Sequence, residues 1–163
     1  MNEFPQGFSF FKPFDHRKNN IMKATPLTIE RSFKVPAGTV WQAITDSDKM
    51  KQWYFDIDSF KPEVGFEFQF WGGSDDKKYL HLCKVREAIK DKKLAHTWQY
   101  KDYPGESYLS WELLPEDGGT RVVLTHSGLE TFPQDSPDFR RESFEAGWTY
   151  ILGTSLKKFL EGS

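Results

Sequence analysis

Apolar and polar side chains alternate where the regular part of the chain begins. Ile29, Phe33 and Val35, together with Arg31, fall on one side of a period-two pattern; Thr28, Glu30, Ser32 and Lys34 fall on the other. That pattern predicts a half-buried strand, stopped by Pro36 and Gly38. Thr39 can cap a first short helix and Ser47 a second, the pair closing on Trp53, Tyr54 and Phe55. From residue 56 onward strands dominate. A short strand over 56–60 closes at Pro62. Over 65–71, Phe66, Phe68 and Phe70 share one face, opposite Glu67 and Gln69. After a turn at Gly72, Gly73, Asp75 and Asp76, strands are predicted over 79–89, 93–100, 107–114 and 120–125. The connections IKDKK, DYPGE and PEDGG carry hairpin-turn chemistry, so the strands read as an antiparallel meander.

The period then changes to a helical one over 137–161. Ser136 and Pro137 supply a cap and a first helical position. Phe144, Trp148, Ile151, Leu152, Ser155, Leu156, Phe159 and Leu160 form one broad face. Gly147 inside this helix costs about 1 kcal/mol relative to Ala, which suggests close packing on the sheet. A strand, two short helices, a meander and a long final helix follow the order of a helix-grip fold. This is an α+β architecture: a curved antiparallel sheet of about six or seven strands encloses a cavity with the C-terminal helix. The domain is expected over 25–163. Residues 1–24 form a Phe-rich extension without clear period (Phe4, Phe8, Phe10, Phe11 and Phe14 among Pro5, Gly7 and Pro13). It reads as a flexible leader or a docking segment, with Met22 an alternative start.

Composition narrows the function. The chain has 163 residues, the size of one domain. A net charge of −2 gives no attraction to nucleic acid or to an anionic membrane. No apolar run is long enough to span a bilayer, and polar residues and prolines interrupt any signal-peptide core. Cys83 is the only cysteine, which excludes an intrachain disulfide and fits a reducing, cytoplasmic setting. Aromatic residues make up 17% of the chain, including fifteen Phe and six Trp, enough for a large core, a ring-lined pocket, or both.

Cys83 with His16, His81, His96 and His126 invites a metal reading. A hairpin centred on IKDKK would set Val85 opposite Trp98, Cys83 opposite Tyr100 and His96 opposite Glu87. His96 then lies roughly 20 Å along the strands from His81, and His126, paired near Tyr108, about 14 Å from Cys83. Neither a metal nor another cofactor is expected. Cys83, mid-strand among apolar residues, reads as an inert thiol. Ser110 and Ser155 have no base partner, and no nucleophile elbow, phosphate loop or dinucleotide fingerprint appears. In the same register Trp98 and Trp111 sit nearly opposite each other. The inward parity collects Phe68, Phe70, Val85, Leu94, Leu109, Leu113, Val122 and Leu124, with Trp53, Trp148 and Leu152 from the helices. Such rings either fill the core or line a cavity of ~300–1000 Å³. The ligand-binding candidates are Trp53, Phe68, Phe70, His81, Val85, Trp98, Trp111, His126, Trp148 and Leu152.

Five segments carry a resemblance: VPAGTVWQAITDSDKMKQWY at 35–54, VGFEF at 64–68, CKVREAIKDKKLAHTW at 83–98, LSWELLPEDGGTRVVLTHSGL at 109–129 and GWTYILGTSLKKFL at 147–160. In that order they resemble the START-like, polyketide-cyclase and birch-pollen-allergen-like superfamily. Within it, they are similar to the C-terminal domain of the activator of the heat-shock protein ninety ATPase and its bacterial relatives. Cys83 stands where such relatives usually carry Gly, and Lys90-Asp91 where they carry Pro. The Phe-rich leader falls outside the pattern, and the separate N-terminal domain of the eukaryotic activators is not expected. The resemblance, with the inward rings, implies first a protein that holds a small hydrophobic or aromatic ligand between sheet and helix. Second, it implies a stress-related co-regulator of a heat-shock chaperone ATPase. Third comes a polyketide cyclase or dehydratase, for which His126 and His81 are the catalytic candidates and Glu87 and Glu112 the nearest acids by strand pairing.

Overall fold

A computed structural model describes residues 25–162. The Phe-rich extension, Met22 and His16 lie outside the described residues. The elements are β1 (Leu27–Phe33), α1 (Ala37–Thr45), α2 (Ser47–Trp53), β2 (Glu67–Gly73), β3 (Lys78–Ile89), β4 (Lys93–Tyr100), β5 (Ser107–Glu116), β6 (Gly119–Ser127), α3 (Arg141–Tyr150) and α4 (Lys157–Glu161). A π-helical segment, Ile151–Leu156, joins α3 to α4 without a break. The strands form one six-stranded sheet in the order β1-β6-β5-β4-β3-β2. Every pairing is antiparallel. The sheet wraps the C-terminal helix over 141–161, so the α+β helix-grip architecture is the observed one.

In β1, Leu27, Ile29 and Phe33 are buried while Thr28, Glu30, Arg31 and Ser32 are exposed. β1 lies along the last strand, from Leu27 opposite His126 to Phe33 opposite Thr120. The two short helices carry the chain across to the far edge, where β2 begins. Inside the sheet Phe68, Phe70, Val85, Leu94, Leu109, Leu113, Val122 and Leu124 are all buried, as are Trp53, Trp148 and Leu152 from the helices.

Several local expectations are corrected. No strand forms over 56–60. That segment is held by Ile57, which is buried, and by Phe60, whose ring sits 5.0 Å from Phe68. Thr39 does not cap α1; the Pro36 carbonyl accepts from the Thr39 and Val40 amides instead, and no side chain caps the helix. The cap of α2 is Asp46, not Ser47: its carboxylate accepts from the amides of Asp48 (2.9 Å) and Lys49 (3.3 Å). A charged acceptor one residue earlier reaches both free N–H groups. The final helix starts at Arg141 rather than Pro137. Pro137–Phe139 is a single 3-10 turn, and Arg140 is extended (ψ 155°). That break lets Phe139 drop into a ring cluster with Tyr79, Tyr100, Tyr103 and Phe132.

The register of β3 with β4 also differs. Asp91 takes φ 64° at the turn, and a bulge falls between Val85 and Glu87. Val85 therefore faces His96, Glu87 faces Ala95, and His81 faces Tyr100. Trp98 faces Ser107, and Trp111 faces Leu94, so the two indoles are not opposite each other. His126 pairs with Leu109, not Tyr108. His96 is level with Val85, four residues from His81, or about 13 Å along the strand. Away from the turn the slip is two residues, which leaves the inward face unchanged because side chains alternate with period two.

Candidate functional site

A cavity of about 370 Å³ lies between the β2–β3 hairpin and α3. Its floor is aromatic: Phe55, His81, Trp98, Tyr100 and Trp148. Gly72, Gly73 and Ser74 form the hairpin wall, and Ser143, Gly147 and Ile151 the helix wall. Those last three are spaced by four residues and so share one helix face. Trp98 and Trp148 meet edge to face, with ring centroids 5.5 Å apart. Gly147 does not serve close packing on the sheet: a Cβ there would meet no described atom within 4 Å outside its chain neighbours and its own helix backbone.

The rim is polar. The Tyr79 hydroxyl donates to Asp138 Oδ2 at 2.6 Å, which ties β3 to the 3-10 turn before α3. The Lys77 ammonium lies 5.4 Å from the centre of the Tyr79 ring, a cation–π distance. Burial pushes the Tyr79 hydroxyl above its ordinary range, and the bond to Asp138 adds to this.

Behind the floor, His126 is fully buried and locked in one tautomer. The Trp148 indole N–H donates to His126 Nδ1 at 3.1 Å. An indole nitrogen can only donate, so Nδ1 carries no proton and the neutral ring is protonated at Nε2. Nε2 donates to Ser107 Oγ at 2.8 Å, and Ser107 Oγ donates to the Trp98 carbonyl at 2.9 Å. Ser107 and His126 are thus paired with the opposite polarity to a nucleophile and its base. Burial pushes His126 down to about 3, helped by His96 and His81. His81 and His96 are pushed by burial to about 4. Each uses Nδ1 on a backbone carbonyl, that of Tyr79 for His81 and that of Thr97 for His96.

Of the residues singled out in the sequence, His81, Trp98 and Trp148 line the cavity. Phe70 lies beside it, stacked on Phe55 and His81 at 4.5 Å each. Val85, His126 and Leu152 are fully enclosed in the core. Trp53, Phe68 and Trp111 border a separate void of about 10 Å³, together with Tyr54 and His96. The acids fall elsewhere. The bulge at Arg86 turns Glu87 to the outer face, where it accepts from the Tyr108 hydroxyl at 2.9 Å and pairs with Lys93. Glu112 alternates outward between Trp111 and Leu113. The carboxylate at the cavity is Asp138. Tyr79 and Tyr100 share the inward parity of His81 and Trp98, a signal available in the sequence; Asp138 and Lys77 had none.

Cys83 is buried, which raises its thiol well above the ordinary range and keeps it protonated. Ser155 donates to the Trp53 carbonyl, joining the final helix to α2. Among the described residues no group of three or more His, Cys, Asp or Glu is placed to hold a metal ion. No helix among them is long and apolar enough to cross a membrane.

Comparison with solved structures returns the same architecture. Protein MLL2253 from Mesorhizobium loti is 26% identical, with a TM-score of 0.68 over 85% of this chain and 98% of that one. CalU16 from Micromonospora echinospora is 22% identical, with a TM-score of 0.65 over 83% of this chain and 76% of that one. DynU16, a protein in the dynemicin biosynthetic locus, is 18% identical, with a TM-score of 0.68 over 85% of this chain and 48% of that one. The last two likenesses show the fold alone. Among curated proteins none matches. The family model described as Activator of Hsp90 ATPase homolog 1-like protein matches residues 34–161, most of the chain. The chain belongs to the family of Activator of Hsp90 ATPase homolog 1-like proteins.

Proposed function

We propose that this protein binds one small hydrophobic or aromatic molecule in the cytoplasm, between its sheet and its C-terminal helix. The observation that carries the reading is the cavity of about 370 Å³ with an aromatic floor and a polar rim. Its volume falls in the range that takes a small organic ligand, and a few polar groups at one end suit it to orient one. Binding is favoured over catalysis. His126 is fully committed within the core and has the wrong polarity toward Ser107. His81 is the one histidine on the cavity, and burial holds it neutral. Native mass spectrometry of protein purified from its own cells tests the reading. A retained small molecule, lost on denaturation, supports it. A clean apo mass, with no complex formed by aromatic or lipid compounds added afterwards, defeats it.

Family membership favours a second reading, co-regulation of a heat-shock chaperone ATPase. Stimulation of the ATPase rate by the purified chain supports it, and an unchanged rate at saturating concentration rejects it.

A further inference from the structure

Three glycines line the cavity, and the protein's own packing requires two of them. A Cβ on Gly72 would lie 2.8 Å from Phe55 Cε1 and 2.9 Å from His81 Cε1. Gly73 has φ 142°, and a Cβ there would collide with the Lys77 carbonyl. Gly147 is different. It sits within α3, where Gly is less favourable than Ala. Apart from its two chain neighbours and the backbone of its own helix, no described atom lies within 4 Å of the position its Cβ would take. No contact within the described fold uses the missing side chain. What it leaves is bare helix backbone between Ser143 and Ile151 in the cavity wall, beside the Trp148 ring of the same helix and with the Trp98 ring of β4 also lining the cavity.

A bare wall beside an aromatic floor suits a planar molecule, which gains ring contacts without a side chain in its way. The rim adds a polar preference. Asp138 uses Oδ2 to accept from Tyr79, and its other oxygen has no partner among the described residues. That oxygen is an acceptor for a ligand hydroxyl, with the Lys77 ammonium close by on the Tyr79 ring.

We propose that Gly147 determines which ligands the cavity admits, leaving room for a flat hydroxylated aromatic molecule that packs against the edge-to-face pair of Trp98 and Trp148 and reaches Asp138 with its hydroxyl. This rests on the ligand-binding reading above and adds to it a class of ligand and a residue that selects it.

The test uses the full chain, with Gly147→Ala and Gly147→Leu beside the wild type. The probes are alizarin (a flat dihydroxyanthraquinone), anthraquinone without hydroxyls, and palmitate. Binding is followed by tryptophan quenching and folding by chemical denaturation. The expected results are a higher denaturation midpoint for Gly147→Ala and a loss of alizarin affinity of about tenfold or more for a folded Gly147→Leu. Anthraquinone is expected to bind wild type about tenfold more weakly than alizarin. A lower midpoint for Gly147→Ala, or unchanged alizarin affinity in Gly147→Leu, overturns the role of Gly147 while leaving the cavity reading intact. Should Gly147→Leu fail to fold, Gly147→Ala decides by affinity. A loss of about threefold or more supports the proposal, and no loss overturns it. Wild type that binds palmitate but not alizarin overturns the aromatic class alone. Wild type that binds none of the three overturns the cavity reading, and this inference with it.

Discussion

The indole of Trp148 donates to Nδ1 of His126 at 3.1 Å, and that single bond joins the final helix to the last strand of the sheet. It fixes the tautomer of His126 and through it the Ser107 bond beneath Trp98. Trp148 also contacts Trp98 and Trp111, at 5.5 and 6.0 Å between ring centroids, so the two sheet indoles meet through it rather than directly. Trp148→Phe keeps most of the ring but leaves a buried acceptor without its donor, at a cost of about 1–3 kcal/mol. Trp148→Ala removes the ring as well and costs about 3–5 kcal/mol. Urea denaturation measures both. A cost under about 1 kcal/mol for Trp148→Ala would show that the ring does not anchor the core.

Acid is expected to unfold the protein through its buried histidines. His81 and His96 are pushed to about 4 and His126 to about 3, each by burial first, from about 6.5 in an unfolded chain. Between those values the unfolded chain binds more protons than the folded one, so stability falls as pH falls. The contribution is whole above about pH 6.5 and is lost as pH drops through the folded values. Cys83 and Tyr100, raised by burial, stay neutral throughout and add nothing. Each histidine contributes on the order of 3 kcal/mol, a large share of the 5–15 kcal/mol of a typical domain. Circular dichroism should show an acid midpoint between about pH 4 and 6, and His96→Gln should move it lower. A native spectrum at about pH 3 contradicts the assignment of three neutral rings.

Tyr54 carries a buried hydroxyl with no hydrogen-bond partner among the described residues. Its ring is held by Trp53 at 4.9 Å and Phe55 at 4.6 Å, and burial pushes the pKa of its hydroxyl well above the ordinary range. An unsatisfied polar group of this kind costs about 1–3 kcal/mol. Tyr54→Phe should therefore leave stability unchanged or raise it by about 1 kcal/mol. Destabilisation by more than about 1 kcal/mol would reveal a partner for the hydroxyl.

The two cap positions of α2 separate cleanly. Asp46→Ala should cost about 1 kcal/mol, because two amide donors lose their acceptor. Ser47→Ala, at the first helical residue, should fall within about 0.5 kcal/mol of wild type. Equal costs at the two positions would contradict the cap geometry.

Most of the architecture could be read from alternation. Phe68, Phe70, Val85, Leu109 and Leu124 are buried as their parity requires, and a two-residue slip along β3 and β4 does not change that parity. Register itself was not legible. The bulge at Arg86 and the positive φ of Asp91 are backbone events with no hydrophobic signature, and they move Trp98 from Trp111 to Ser107. Glu87 left the inner face for the same reason. At the cavity, His81, Trp98 and Trp148 followed from parity and helical spacing. Asp138 did not, because its position depends on Arg140 breaking the helix and on Phe139 finding a ring cluster far along the sequence. His126 stands near a strand end, yet Phe144 and Trp148 close over it.

The central claim is that an aromatic molecule occupies the space between α3 and the β2–β3 hairpin. A titration with alizarin, followed through the six tryptophan indole signals in a nitrogen–proton NMR spectrum, tests it most directly. Trp98 and Trp148 line the cavity, whereas Trp71 is 62% exposed on the outer face of β2 and Trp41 is on the buried face of α1. The expected result is saturable shifts at Trp98 and Trp148 with Trp41 and Trp71 unmoved. Shifts confined to Trp71, or none at any indole, would contradict the claim.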